Sequence, residues 1–265
     1  MVAVNWHEDS ASVHLMWFSR PFERFREYVR DTYRLCVLSF RGIHAVQQSL
    51  ELTQAFYEGP GPLSWTPQPG EAEVAVKEAE QLAHLARQEI DNDFALMNAH
   101  ALVGVWGALE ACIDDTLVAV LQHDRDVRKS ELFMRVKVSV GEFEELQADD
   151  RMRLLLDEAK RLLRLEQRIG VNVFESVLDT VGLSGPVDEP VAKHVLELQQ
   201  LRHVLVHRGG VADRRLCGRC AWLSFKPGER VMLKRTDLTR LLRAVQSYAE
   251  QVEGRVRTRY GGHAD

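Results

Sequence analysis

Apolar residues recur at helical spacing over most of this chain, and only a few short segments interrupt them, so the pattern admits little besides a helical bundle. Over residues 20–57 the apolar positions include Phe22, Phe25, Val29, Tyr33 and Val37, with Arg24, Arg26 and Arg30 between them. That spacing predicts one amphipathic helix with a wet arginine face. The stretch Gly59–Gly70, GPGPLSWTPQPG, holds four prolines and three glycines and cannot continue a helix. From Glu71 to about His123 the helical pattern returns, first charged and then apolar enough to be buried on most sides. Two further helices are predicted over 151–168 and 172–183, separated near Gly170, and another from about Pro190 to Arg208. Asp188 or Glu189 starts this last helix, and Gly209 and Gly210 stop it.

The texture then changes for about twenty residues. AWLSF and RVMLK flank Lys226-Pro-Gly-Glu229, a combination that predicts a small β-hairpin. Thr236 is the expected cap of a final helix whose stripe runs through Leu238, Leu241, Leu242, Val245, Ala249, Val252 and Val256. The expected architecture is all-α: an N-terminal helical extension (1–58), a Pro/Gly-rich linker (59–70) and a helical domain (71–265) with a small β-hairpin before the last helix. No internal repeat is visible, which argues against a solenoid.

A chain of 265 residues can bury enough surface to fold without metal or disulfide staples. Its net charge of −5 conceals an asymmetry. From Arg202 onward there are 14 Lys and Arg against 6 Asp and Glu, and before it 20 against 33. A basic C-terminal quarter can attract a polyanion, although a solvated helix that happens to carry arginine gives the same count. Four cysteines, with Cys36 and Cys112 in apolar helical stretches, point to reduced thiols. The N-terminus lacks a secretory pattern, and the longest apolar run, Ala101–Leu109, is half a membrane span. The expected location is therefore cytoplasmic, without a membrane partner.

Chemistry concentrates near the end of the helix predicted over 190–208. Val191, Val195, Leu198, Leu201 and Leu205 form a core stripe, and Lys193, Glu197, Gln200, His203 and His207 lie on the opposite side. His203 and His207 are four residues apart, about 40° around the axis, so they share a face one turn from each other. Arg202 can bring its guanidinium back toward that face on its long stem. A permanently charged guanidinium suits the non-bridging oxygens of a pentacoordinate phosphorus, and imidazole moves protons near neutral pH. With a ribose 2′-hydroxyl as nucleophile this chemistry needs no metal and no cofactor.

Arg202-His203-Val204-Leu205-Val206-His207 resembles the catalytic motif of HEPN (higher eukaryotes and prokaryotes nucleotide-binding) ribonucleases: an Arg, a polar residue, three variable residues and a His. The order downstream of it, and the earlier helix VWGALEACIDD over residues 105–115, are also similar to members of that superfamily. The resemblance covers residues 71–265. It implies an endoribonuclease that leaves 2′,3′-cyclic phosphate and 5′-OH ends, with Arg202 stabilising the phosphorane and His207 moving the proton. Where many members carry Asn, this chain has His203, as some members do. The family further implies an RNA substrate, a homodimer with a composite site, and a toxin or anti-phage role restrained by a neutralising partner. Glu110 or Glu197 would orient Arg202, and Arg208, Arg214 and Arg215 would contact RNA.

Other readings stay open. Cys217 and Cys220 have the spacing of half a zinc site, with His207 ten residues upstream. Glu110, Asp114 and Asp115 could be acid/base groups, although carboxylates on such a helix more often anchor a neighbouring arginine. The aromatic opening, Trp6, Trp17, Phe18, Phe22 and Phe25, could stack on bases, although a core-facing stripe explains it better. The alternative to an enzyme is a non-catalytic helical module that binds a nucleotide or a partner.

Overall fold

The computed structural model describes residues 17–58, 68 and 70–261. Trp6 and nearly all of the Pro/Gly-rich segment lie outside the described residues. The described chain is all-α, with ten α-helices and three short 3-10 turns. In chain order the helices are α1 (Arg20–Glu58), α2 (Glu71–Asp91), α3 (Ala95–His123), α4 (Glu131–Met134), α5 (Val140–Glu145), α6 (Ala148–Leu162), α7 (Asn172–Asp179), α8 (Glu189–His207), α9 (Arg214–Arg219) and α10 (Arg235–Tyr260).

Helix α3 is the axis of the bundle, packed against α1, α6, α8 and α10. By length and composition it could cross a membrane. Its apolarity has another cause: Leu102, Val105, Trp106, Leu109, Ile113, Leu117 and Leu121 point in several directions and are all buried. A helix enclosed on most sides needs no polar face. Two of the buried polar side chains on it find backbone acceptors. The Thr116 hydroxyl donates to the Cys112 carbonyl (2.8 Å), and the Asn98 amide donates to the carbonyls of Asp93 (2.9 Å) and Leu233 (2.8 Å).

The N-terminal residues share this core. Phe18, Phe22, Phe25 and Val29 are buried with α3 and α10 residues, and Arg26 donates to Glu253 of α10 at 2.6 Å. The aromatic opening is thus mostly core, as the stripe predicts; Phe18, Phe22 and Phe25 are closed to stacking on a base. Beyond this core α1 packs against α2, whose buried positions Ala79, Ala83 and Ala86 allow close approach of the two helices.

The structure departs from the predicted pattern in several places. The helical run from Glu71 to His123 breaks at 92–94, where Asp93 (φ 49°) and Phe94 (φ 59°) adopt left-handed backbone. Asp-Asn-Asp competes with helical hydrogen bonding there, and burial of the Phe94 ring against Phe40, 4.6 Å between centroids, offsets the strain. The 151–168 and 172–183 predictions end early, at Leu162 and Asp179. Residues 124–147 fold into short helical turns where no element was predicted.

The expected β-hairpin does not form. No strand occurs among the described residues, and Ala221–Leu223 is a 3-10 turn followed by Ser224 in left-handed backbone. The Pro-Gly turn is present, with Gly228 at φ 90°. The segment after it pairs instead with the stretch following α8, through one antiparallel bridge between Val211 and Arg230. Gly210 and Ala212 offer backbone groups there that AWLSF, coiled into a turn, does not. Thr236 is not the cap of α10. Lys234 occupies that position, and its N–H donates to Asp237 at 3.0 Å.

Helix α8 also differs from its predicted amphipathic split. Val195, Leu198 and Leu201 are core, as expected, while Val191 and Leu205 are only half-buried and Val204, outside the predicted stripe, is buried. Glu197 and Gln200 on the supposed wet side are buried as well, at 0% and 1% exposure. The chain from Val211 to Leu233 folds back over that side. Glu197 takes both ends of the Arg240 guanidinium (2.6 and 2.8 Å) and the Trp222 indole N–H (3.1 Å). Removing one partner of such a pair strands a buried charge. Arg240→Leu is expected to lower unfolding stability by about 3 kcal/mol, and Glu197→Leu/Arg240→Leu to recover most of it. Urea denaturation of the three proteins checks this; a double variant no more stable than the single one contradicts it.

Candidate functional site

The last two turns of α8 are held between α3, packed along one flank, and α9, packed on the other. The helix ends where its glycines dictate. Gly209 (φ 60°) and Gly210 (φ 75°) adopt left-handed backbone, and the N–H groups of Arg208 and Gly210 both return to the Val204 carbonyl at 3.0 Å. Side chains at 202, 203 and 207 therefore stand at a fixed helix end.

The two imidazoles come together as their spacing predicts. The ring centroids of His203 and His207 are 5.3 Å apart with planes inclined by 52°, and His207 is exposed while His203 is half-buried. Arg202 turns to the other flank, toward α3, where a guanidinium nitrogen lies 3.9 Å from the Glu110 carboxylate. Both of those side chains are partly solvated, so the pair aligns more than it stabilises, by under about 1 kcal/mol. Glu110 thus faces Arg202. Glu197 does not: its carboxylate is spent on Arg240 and Trp222.

Asp213, absent from the predicted set, is the third group at this end. Its carboxylate accepts from the Leu216 N–H at 2.8 Å, capping α9, and lies 4.0 Å from the His203 Nε2 and 3.9 Å from the Arg208 Nε. An Asp placed just before an Arg-rich helical turn is a readable cap in the sequence; its approach to His203 is not, because that depends on how α9 returns to α8.

Of the predicted RNA-contacting arginines, Arg208 and Arg214 are exposed, and Arg214 has no ion pair among the described residues. Arg215 is exposed too, but its Nε donates to the Gln200 side chain at 3.0 Å, which holds its stem along α8. Burial, then the nearby Arg215 charge, depresses the His203 pKa below its ordinary value, with Asp213 opposing. The site therefore offers a neutral imidazole, fixed cations and an open face, a set suited to binding a phosphodiester and moving its protons.

Cys217 and Cys220 make a poor metal site. Cys220 is buried, and burial, reinforced by Glu197, pushes its thiol up to about 12, away from the thiolate a metal requires. Among the described residues no group of three or more His, Cys, Asp or Glu is arranged to hold a metal ion. Asp114 and Asp115 serve as anchors: Asp114 pairs with Lys160 and Asp115 with Arg153.

A group that resists protonation in the fold stabilises it when neutral, so the His203 contribution is present above the unfolded histidine pKa of about 6.5 and is lost as pH falls below it. NMR titration of His203 is expected to give a midpoint below about 6.5 that rises in Arg215→Gln; a midpoint at or above that value in the unaltered protein contradicts the geometry. Compared with protein-family models, curated proteins and solved structures, the chain matches none.

Proposed function

We propose that this chain is a metal-independent endoribonuclease of HEPN-like architecture, cleaving RNA at the C-terminal end of α8. The observation that carries this reading is the meeting of His203 and His207 on two successive turns that end in solvent, with the imidazoles 5.3 Å apart and Arg202 on the adjoining flank beside Glu110. A ribose 2′-oxygen attacks the adjacent phosphorus while His207 accepts its proton. The bond from phosphorus to the 5′-oxygen breaks, and that oxygen takes up a proton from water. Products are a 2′,3′-cyclic phosphate and a 5′-hydroxyl.

In this reading Arg202, aligned by Glu110, neutralises the charge that builds on the non-bridging oxygens. Arg208, Arg214 and Arg215 supply phosphate contacts along the approach, giving affinity without base preference. The competent form is a homodimer that brings two motifs together, acting in the cytoplasm as a toxin or anti-phage effector restrained by a neutralising partner. That biological setting follows from the family resemblance alone.

A second reading, a partner-binding module, draws on the surface beside the motif. A cleft of about 700 Å³ is lined by Leu96, His100, Leu205, Val206 and Met232, of which Leu96, Val206 and Met232 are exposed apolar residues. Such a surface suits docking of another polypeptide as well as it suits RNA.

The two readings separate in one assay. Purified protein is incubated with end-labelled structured RNA in EDTA, and product ends are characterised for the unaltered chain, Arg202→Ala and His207→Ala. The enzyme reading expects cyclic phosphate ends and a loss of about 10²-fold or more in each variant. Cleavage that the variants retain, or none at all by the unaltered chain, favours the docking module.

A further inference from the structure

We propose that the cleft between α1, α8 and α10 binds a small organic anion with a flat apolar body, at a site separate from the end of α8. The cleft has a volume of about 1000 Å³, at the upper end for sites that enclose a small molecule. Tyr33, Val37 and Phe40 of α1 line one wall at successive helical positions, giving an apolar strip about 10 Å long. Val191 in the first turn of α8 and Leu238 of α10 supply further apolar lining.

Charge selects the occupant. Four arginines, Arg41, Arg235, Arg240 and Arg243, line the cleft against a single carboxylate, Asp93. Two of them are already committed: Arg235 to Asp93 at 2.5 Å, and Arg240 to Glu197 and Asp237. Arg41 and Arg243 stand on different helices of the same cleft, and neither has an acidic partner within ion-pair distance among the described residues. Two uncommitted guanidiniums beside an apolar strip match a ligand with a phosphate or carboxylate at one end and a ring system at the other. Thr239 and Ser247 on α10 add hydroxyls for its polar edge. His194 also lines the cleft; burial, then Arg240, holds its pKa down, so it adds a neutral hydrogen-bonding group.

The site does not depend on the ribonuclease reading. His194 and His207 are 13 residues apart on α8, roughly 20 Å along the axis. The test is calorimetric titration of the full-length chain with 1-naphthyl phosphate, with 2-naphthoate and with uncharged 1-naphthol. One or both anions are expected to bind saturably, at least about 10-fold tighter than naphthol. Arg41→Gln/Arg243→Gln is expected to weaken the tighter anion by about 10- to 100-fold while leaving naphthol binding and thermal unfolding unchanged. The stronger of the two anions identifies the head group. Arg202→Ala, at the other end of α8, leaves binding unaltered. Equal affinity for naphthol, retained affinity in the double variant, loss of affinity in Arg202→Ala, or no saturable binding of either anion below about 1 mM overturns the proposal.

Discussion

Glu197 sits in the middle of α8 with no exposure to solvent, and two other elements converge on its carboxylate. Arg240 reaches it from α10, Trp222 from the turn after α9, and Asp237 shares the same guanidinium. A buried carboxylate is tolerated only when its oxygens are filled by donors, so α8, α10 and the intervening segment must adopt one mutual arrangement. The chain from Val211 to Leu233 is thereby drawn across α8, bringing Asp213 beside His203 and Arg215 onto Gln200. The geometry of the helix end follows from a charge one and a half turns away.

The remaining packing serves the same end. Helix α3 is apolar nearly all round because it is enclosed by α1, α6, α8 and α10, and it carries Glu110 on the edge that meets Arg202. The N-terminal helix closes the far side through Phe22, Phe25 and Val29 and is tied to α10 by Arg26 and Glu253. Where α1 leaves α3 it leaves the cationic cleft between itself, α8 and α10. One side of α10 thus secures the Glu197 cluster while an adjoining side lines a cavity, with Arg240 common to both.

Much of this was legible in the residues. Helices α1, α8 and α10 begin and end within a few residues of where periodicity, Pro190 and the Gly209-Gly210 pair place them. The meeting of His203 and His207 follows from a four-residue spacing, a local quantity. What escaped prediction depends on partners distant in sequence. Glu197 and Gln200 look like a solvated face until Trp222, Arg215 and Arg240 cover them. AWLSF and RVMLK alternate as strands should, but RVMLK finds its hydrogen-bonding partner at Gly210 rather than across the Pro-Gly turn. Phe94 accepts left-handed backbone because a pocket against Phe40 offsets it.

The central claim is that the end of α8 receives RNA. Its most direct test is NMR of histidine-labelled protein titrated with a short RNA whose 2′-hydroxyls are methylated, so that it binds without being cut. The account predicts that the His203 and His207 resonances shift together and saturably, with Arg214→Gln weakening the effect and His194 left unmoved. Saturable binding that leaves both of those histidines unperturbed would contradict it.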